Sequence, residues 1–155
     1  MGELSHLDER GNARMVDVGA KASTDREAVA EAVVVLSEAT LRALMDGSLP
    51  KGDAVAVARV AAIQAVKRTA DLIPLCHPLP LSAVEVDIEQ IDSGVRLTVT
   101  VRTTDRTGVE MEALTGVSVG ALTIYDMVKG LERGVEIGPV RLLRKSGGAS
   151  GTWER

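Results

Sequence analysis

Between residues 81 and 101 the chain alternates cleanly between apolar and polar positions. Val84, Val86, Ile88 and Ile91 are set against Glu85, Asp87, Glu89 and Gln90. Asp92-Ser93-Gly94 supplies turn chemistry, and Val95, Leu97, Val99 and Val101 then alternate again. Period two with one wet face predicts an antiparallel hairpin.

Helical patterns lie on both sides of it. Residues 53–73, DAVAVARVAAIQAVKRTADLI, open on an Asp N-cap and run to Pro74, which predicts one helix. Its apolar positions run almost all round, so it belongs deep in the fold or in a subunit contact. Residues 109–131 carry Met111, Leu114, Val117, Ala121, Leu122, Tyr125 and Val128 at helical spacing, with a stop at Gly130 or Gly134. Residues 27–36, EAVAEAVVVL, read both ways: Ala and Glu favour helix, Val33-Val34-Val35 and a period-two run favour strand. Strand is the preferred reading. Ser37 caps a short helix that Gly47 and Pro50 end, and Val135–Leu143 predicts a last strand.

Residues 1–24 read as a polar arm with one edge strand at Met15–Val18, and residues 146–155 as a flexible glycine-rich tail. Residues 25–145 between them form a single domain. The element order predicts an α+β fold, ferredoxin-like βαββαβ in outline, with an antiparallel sheet.

Composition changes this picture in one respect. The 155-residue chain is 45% apolar but has no Phe, and its only aromatic rings outside His are Tyr125 and Trp153. Small side chains bury little area each, so a homo-oligomer that buries more is expected. A net charge of −4 argues against a general grip on nucleic acid. One cysteine, Cys76, excludes an internal disulfide framework. With no apolar leader and no run of 18 apolar residues, neither a signal peptide nor a membrane span is expected, and a cytoplasmic location is.

Five short segments carry candidate chemistry. Lys51-Gly52-Asp53 precedes a helix N-terminus, where free N–H groups suit an anion; a turn followed by a cap is the commoner explanation. Leu75-Cys76-His77 sits between Pro74 and Pro78, a stiff frame for a general base or donor, although a loop histidine satisfied by backbone fits equally. Glu110-Met111-Glu112 opens the long helix, where acids are ordinarily explained by the helix dipole. Asp126 and Lys129 share a helix face as an acid/base pair or a plain surface ion pair. Lys145-Ser146-Gly147-Gly148 suits a phosphate-gripping loop or a floppy tail, and is no Walker A motif.

Helical rise puts roughly 28 Å between Lys51 and His77, and about 21 Å between Glu112 and Asp126. One ligand spanning these groups must therefore be held between two chains across a two-fold axis. Mixing a Lys51→Ala chain with an Asp126→Ala chain is then expected to restore activity.

The strings MVDVGAK, KGDAVAVARVAAIQAVKRTADLIPLCHPLPLSAVEV, TGVEMEALTGVSVGALTIYDMVKG and IGPVRLLRKSGG resemble the MoaC family, over about residues 15–151. The resemblance implies a ferredoxin-like fold in a homohexamer, a trimer of dimers, with sites between subunits. It implies a lyase that converts (8S)-3',8-cyclo-7,8-dihydroguanosine 5'-triphosphate, made by an upstream radical-SAM enzyme, to cyclic pyranopterin monophosphate and diphosphate. It implies no cofactor, although Mg²⁺ on the substrate triphosphate is compatible, and no dedicated metal site. Asp126, Lys129 and Lys51 resemble the family's catalytic residues. Leu75, Cys76, His77, Met111 and Glu112, with Glu110 beside them, resemble its substrate-binding residues, and Arg26 and Lys145 its triphosphate contacts. A ligand-sensing module needs the pocket but not the acid/base pair, so Asp126 and Lys129 separate that alternative from an enzyme.

Overall fold

The computed structural model describes residues 6–155. In chain order the elements are β1 (Thr24–Val35), α1 (Glu38–Met45), α2 (Ala54–Lys67), α3 (Thr69–Leu72), β2 (Leu81–Ile91), β3 (Gly94–Asp105), α4 (Glu110–Val128), β4 (Glu136–Ser146) and β5 (Trp153–Glu154). The strands form one sheet in the order β2-β3-β1-β4-β5, with every neighbouring pair antiparallel. The class is α+β, as the element pattern predicts.

Residues 27–36 resolve as strand, inside β1. Their alternation decides it. Ala28, Ala30, Ala32 and Val34 are fully buried beneath the helices, and Glu27, Val29, Glu31 and Val33 occupy the opposite face. On β3, Val95, Leu97, Val99 and Val101 complete the inner face. Helix α4 packs on β1, β3 and β4, and α2 packs on α4 and β2.

A core without Phe works here through close approach. A Cβ added at Gly116 would strike the Val66 side chain, and one at Gly120 would strike Leu97 and press on Ala62. Small residues thus let α2, α4 and the sheet sit near one another, recovering by packing density what the missing rings would supply by area.

The sheet face away from the helices carries charge instead of apolar side chains. Glu31, only 5% exposed, lies between Arg96 and Arg141, and Glu27 lies between Arg102 and Arg144. These are cross-strand neighbours of opposite sign.

The structure corrects three sequence expectations. The single helix over 53–73 is broken at Arg68 into α2 and α3. The Thr69 hydroxyl donates to the carbonyls of Ala65 and Val66, a side-chain bond that interferes with the helical ladder. The outer side of α2, expected either deep in the fold or in a subunit contact, is open within the single chain, where Val60 is 56% exposed and Leu122 on α4 is 58% exposed; neither alternative is overturned by this. Met15–Val18 forms no strand, and the carbonyl of Val16 accepts from the side chain of His77 rather than from a neighbouring strand. The glycine-rich segment after Ser146 returns to the sheet, where Trp153 and Glu154 pair with Lys145 and Arg144.

Candidate active site

Because α2 and α4 run antiparallel, the start of one meets the end of the other. Asp53 caps α2 by accepting a hydrogen bond from the Ala56 N–H at 2.9 Å, which fixes the turn carrying Lys51. The Lys51 ammonium donates to the Asp126 carbonyl at 2.7 Å and to its carboxylate at 2.9 Å. One helical turn on, Lys129 caps α4 and its ammonium meets the other Asp126 oxygen at 2.7 Å. Two cations thus gather at the negative end of the α4 dipole, where last-turn carbonyls lack helical partners.

Hydrogen bonds from Lys129 and then Lys51 pull the Asp126 carboxyl down to about 2, and Asp126 in turn raises the Lys129 ammonium. All three side chains are about half exposed to solvent. Near neutral pH the Asp126 carboxylate is thus ionised between two lysines, and the Lys129 ammonium keeps its proton. The cluster's ready chemistry is proton donation by a lysine to an atom gaining negative charge.

The other end of the helix pair builds a different environment. The stiff segment after Pro74, the first turn of α4 and the N-terminal arm enclose a cavity of about 310 Å³, lined by Lys21, Leu75, Cys76, His77, Met111 and Glu112 among others. Glu110 also lines it. The His77 ring donates through Nε2 to the Val16 carbonyl at 2.8 Å. That bond ties the arm across the cavity.

Glu112 is 4% exposed, and burial, with the neighbouring charge of Glu110, raises its carboxyl above the usual range. Burial and then Glu112 raise Cys76 as well, which favours the thiol form. A carboxyl whose folded pKa is raised leaves stability intact below the unfolded value of 4.5 and costs stability as pH rises through the folded value. Glu112→Gln is therefore expected to raise the melting temperature at neutral pH by a few degrees, with the gain shrinking as pH falls toward 4.5 and gone below it. Scanning calorimetry across pH reads this; a gain that grows toward acid contradicts it.

A second cavity, of about 530 Å³, adjoins the first and shares Lys21, Thr107 and Gly108 with it. Arg26, Arg106, Gly148 and Ser150 line the remainder, and no carboxylate among the described residues does. Arg26 donates to the carbonyls of Asp105 at 3.3 Å and Arg106 at 3.1 Å, which fixes its guanidinium at the rim. Gly147 and Gly148 have φ of 94° and 73°, and an added Cβ would strike the Asp25 carbonyl or the Arg26 guanidinium. Only glycine suits both the backbone and the space. Lys145 donates to the Ser150 hydroxyl and closes the loop's near side.

The structure therefore gathers the sequence candidates into two groups. Leu75, Cys76, His77, Glu110, Met111, Glu112, Arg26 and the glycine loop with Lys145 stand at one end. Lys51, Asp126 and Lys129 stand at the other, about 21 Å away along α4. Sequence reasoning expected Lys51 and Asp126 to come from facing chains. In the structure they touch within one chain, because the two helices fold back on each other. Lys21 and Arg106 were not anticipated as site residues. Lys21 closes the MVDVGAK string, and Arg106 is a lone arginine in a turn whose place only the fold shows.

The MoaC family model matches residues 15–148. The cyclic pyranopterin monophosphate synthase of Thermomicrobium roseum is 57% identical, over 100% of this chain and 95% of its own. That of Roseiflexus castenholzii is 58% identical over 97% of each chain. A protein of Mycobacterium tuberculosis strain H37Rv, named cyclic pyranopterin monophosphate synthase 2, is 56% identical over 99% of this chain and 92% of its own. Family match and full-length relatives coincide, and the chain belongs to the MoaC family and is an enzyme, a lyase.

Proposed function

We propose that this chain acts in molybdenum cofactor biosynthesis, converting (8S)-3',8-cyclo-7,8-dihydroguanosine 5'-triphosphate to cyclic pyranopterin monophosphate and diphosphate. The observation that carries this reading is the pair of adjoining cavities. One offers a buried carboxyl, a histidine and an apolar Met111, which suit the hydrogen-bonding edge and flat face of a purine-derived ring. The other offers Lys21, Arg26 and Arg106 without an opposing carboxylate, which suits a triphosphate.

Opening and reclosing a purine-derived ring moves protons at several heteroatoms, and expelling diphosphate builds charge on the leaving oxygens. Lys51, Asp126 and Lys129 serve the proton transfers, and Arg26 and Lys145 neutralise the phosphate charge. Because one chain holds the lysine–aspartate cluster and the ring cavity far apart, the complete site takes the cluster of one subunit and the cavities of another. The strand order β2-β3-β1-β4 supports a ferredoxin-like subunit, and the exposed Val60 on α2 and Leu122 on α4 suit a subunit contact within a homohexamer. No protein cofactor is required, and any Mg²⁺ arrives on the triphosphate. No group of three metal-ligating side chains occurs among the described residues.

Incubating the purified protein with the cyclic dihydro-GTP derivative tests this directly. Release of diphosphate together with a product that oxidises to a fluorescent pterin is expected. Intact triphosphate after long incubation overturns the reading.

A further inference from the structure

We infer that Trp153–Arg155, fastened through Glu154 to Arg144, position the 147–151 glycine loop over Arg26 and so set affinity for a phosphate chain they do not themselves touch. This rests on the phosphate-cavity reading above.

The loop leaves β4 at Ser146 and is caught again at Trp153, where β5 begins. Lys145 pairs with Trp153 and Arg144 with Glu154 across the β4–β5 ladder. The Arg144 Nε donates to the Glu154 carboxylate at 3.0 Å. The Arg155 N–H donates to the Leu143 carbonyl at 2.9 Å, and its Nε to the Leu142 carbonyl at 2.9 Å. The same guanidinium stands 5.8 Å from the centre of the Trp153 ring. Arg144 is oriented in turn by Glu27, the residue after Arg26 on β1. A single ionic run thus joins the tail to the strand that carries the phosphate-facing arginine.

Trp153, Glu154 and Arg155 are all exposed and bury little area, so they contribute little to global stability. What they contribute is closure. A glycine-rich segment held at one end keeps its conformational freedom, whereas one held at both ends gives most of it up before a ligand arrives. With the loop so held, Gly148 stays against the Arg26 guanidinium and Ser150 stays beside Lys145. Loss of the clasp moves that ordering cost onto binding.

The test uses the full chain, Glu154→Ala, a form ending at Gly151, and Glu154→Gln, which keeps an acceptor for Arg144. Three readings are taken: amide hydrogen exchange in 147–151, calorimetric affinity for inorganic triphosphate, and kcat and KM for the nucleotide substrate. The first two variants are expected to exchange faster in the loop, with triphosphate affinity weakened and KM raised roughly tenfold, about the cost of ordering one more residue. Melting temperature and kcat stay close to the full chain's, and Glu154→Gln recovers most of the affinity. Unchanged loop exchange overturns the clasp, as does faster exchange with unchanged affinity. Failure of the full chain to bind triphosphate at all overturns the phosphate-cavity reading, and the clasp's role in affinity with it.

Discussion

A chain with Asp126→Asn is expected to lose turnover by about 10²–10⁴-fold while melting near the wild-type temperature. The stability half follows from exposure. Lys51, Asp126 and Lys129 are each about half open to water, where ion pairs are screened and contribute little to folding. Asparagine keeps the shape and one side-chain acceptor, and Lys51 keeps the Asp126 backbone carbonyl, so the helix end stays built. The activity half follows from charge. Asp126 holds two ammonium groups on one carboxylate, and removing that charge releases both from their fixed positions.

The pH profile distinguishes this account from simple loss of a base. Asp126 titrates near 2 in the folded chain against 3.8 unfolded, so what its ionisation contributes is present above 3.8 and is lost only as pH falls toward 2. Its protonation therefore does not produce an acidic limb at pH 4–6. The Lys129 ammonium is raised by Asp126 above its ordinary 10.5 and holds its proton through neutral pH. In Asp126→Asn that support is gone, and the alkaline limb of the residual activity is expected at lower pH than in the wild type. An alkaline limb that stays in place, or turnover close to normal, rejects the role given to the cluster.

Much of the fold was legible because it depends on local alternation and local caps. The hairpin, the ends of α4 near Gly130, and the Ser37 and Asp53 caps all follow from a few neighbouring residues. The break at Arg68 was hidden, since it turns on a threonine hydroxyl competing with the helical ladder at one position.

Glu112 shows the same boundary within the site. Its place in a first helical turn argues for an ionised acid stabilised by the dipole. The fold instead buries it behind the proline-flanked segment and the arm, and desolvation outweighs the hydrogen bond from its own backbone N–H. No local pattern carries that information, because the covering residues come from remote parts of the chain. Lys51 and Asp126 are a parallel case: their contact spans 75 positions, and only the antiparallel return of α4 along α2 creates it.

That contact also determines which mixing experiment can locate the complete site. A Lys51→Ala chain mixed with an Asp126→Ala chain is expected to recover nothing, since both residues belong to one cluster supplied by one subunit. Every site in the mixture then draws a damaged cluster. Lys51→Ala mixed with Arg26→Ala behaves differently if the cluster of one subunit serves the cavities of another. Each site then takes its cluster and its cavities from independently drawn chains, so about a quarter of sites combine two intact halves. Activity is expected to rise from near zero in each parent to about a quarter of the wild-type level in randomly assorted oligomers. Differently tagged chains, purified through both tags, establish that the mixed species is present. Verified mixed oligomers no more active than their parents mean that the site closes within one chain, and a ligand must then bridge about 21 Å along α4, farther than a compact small-molecule site spans.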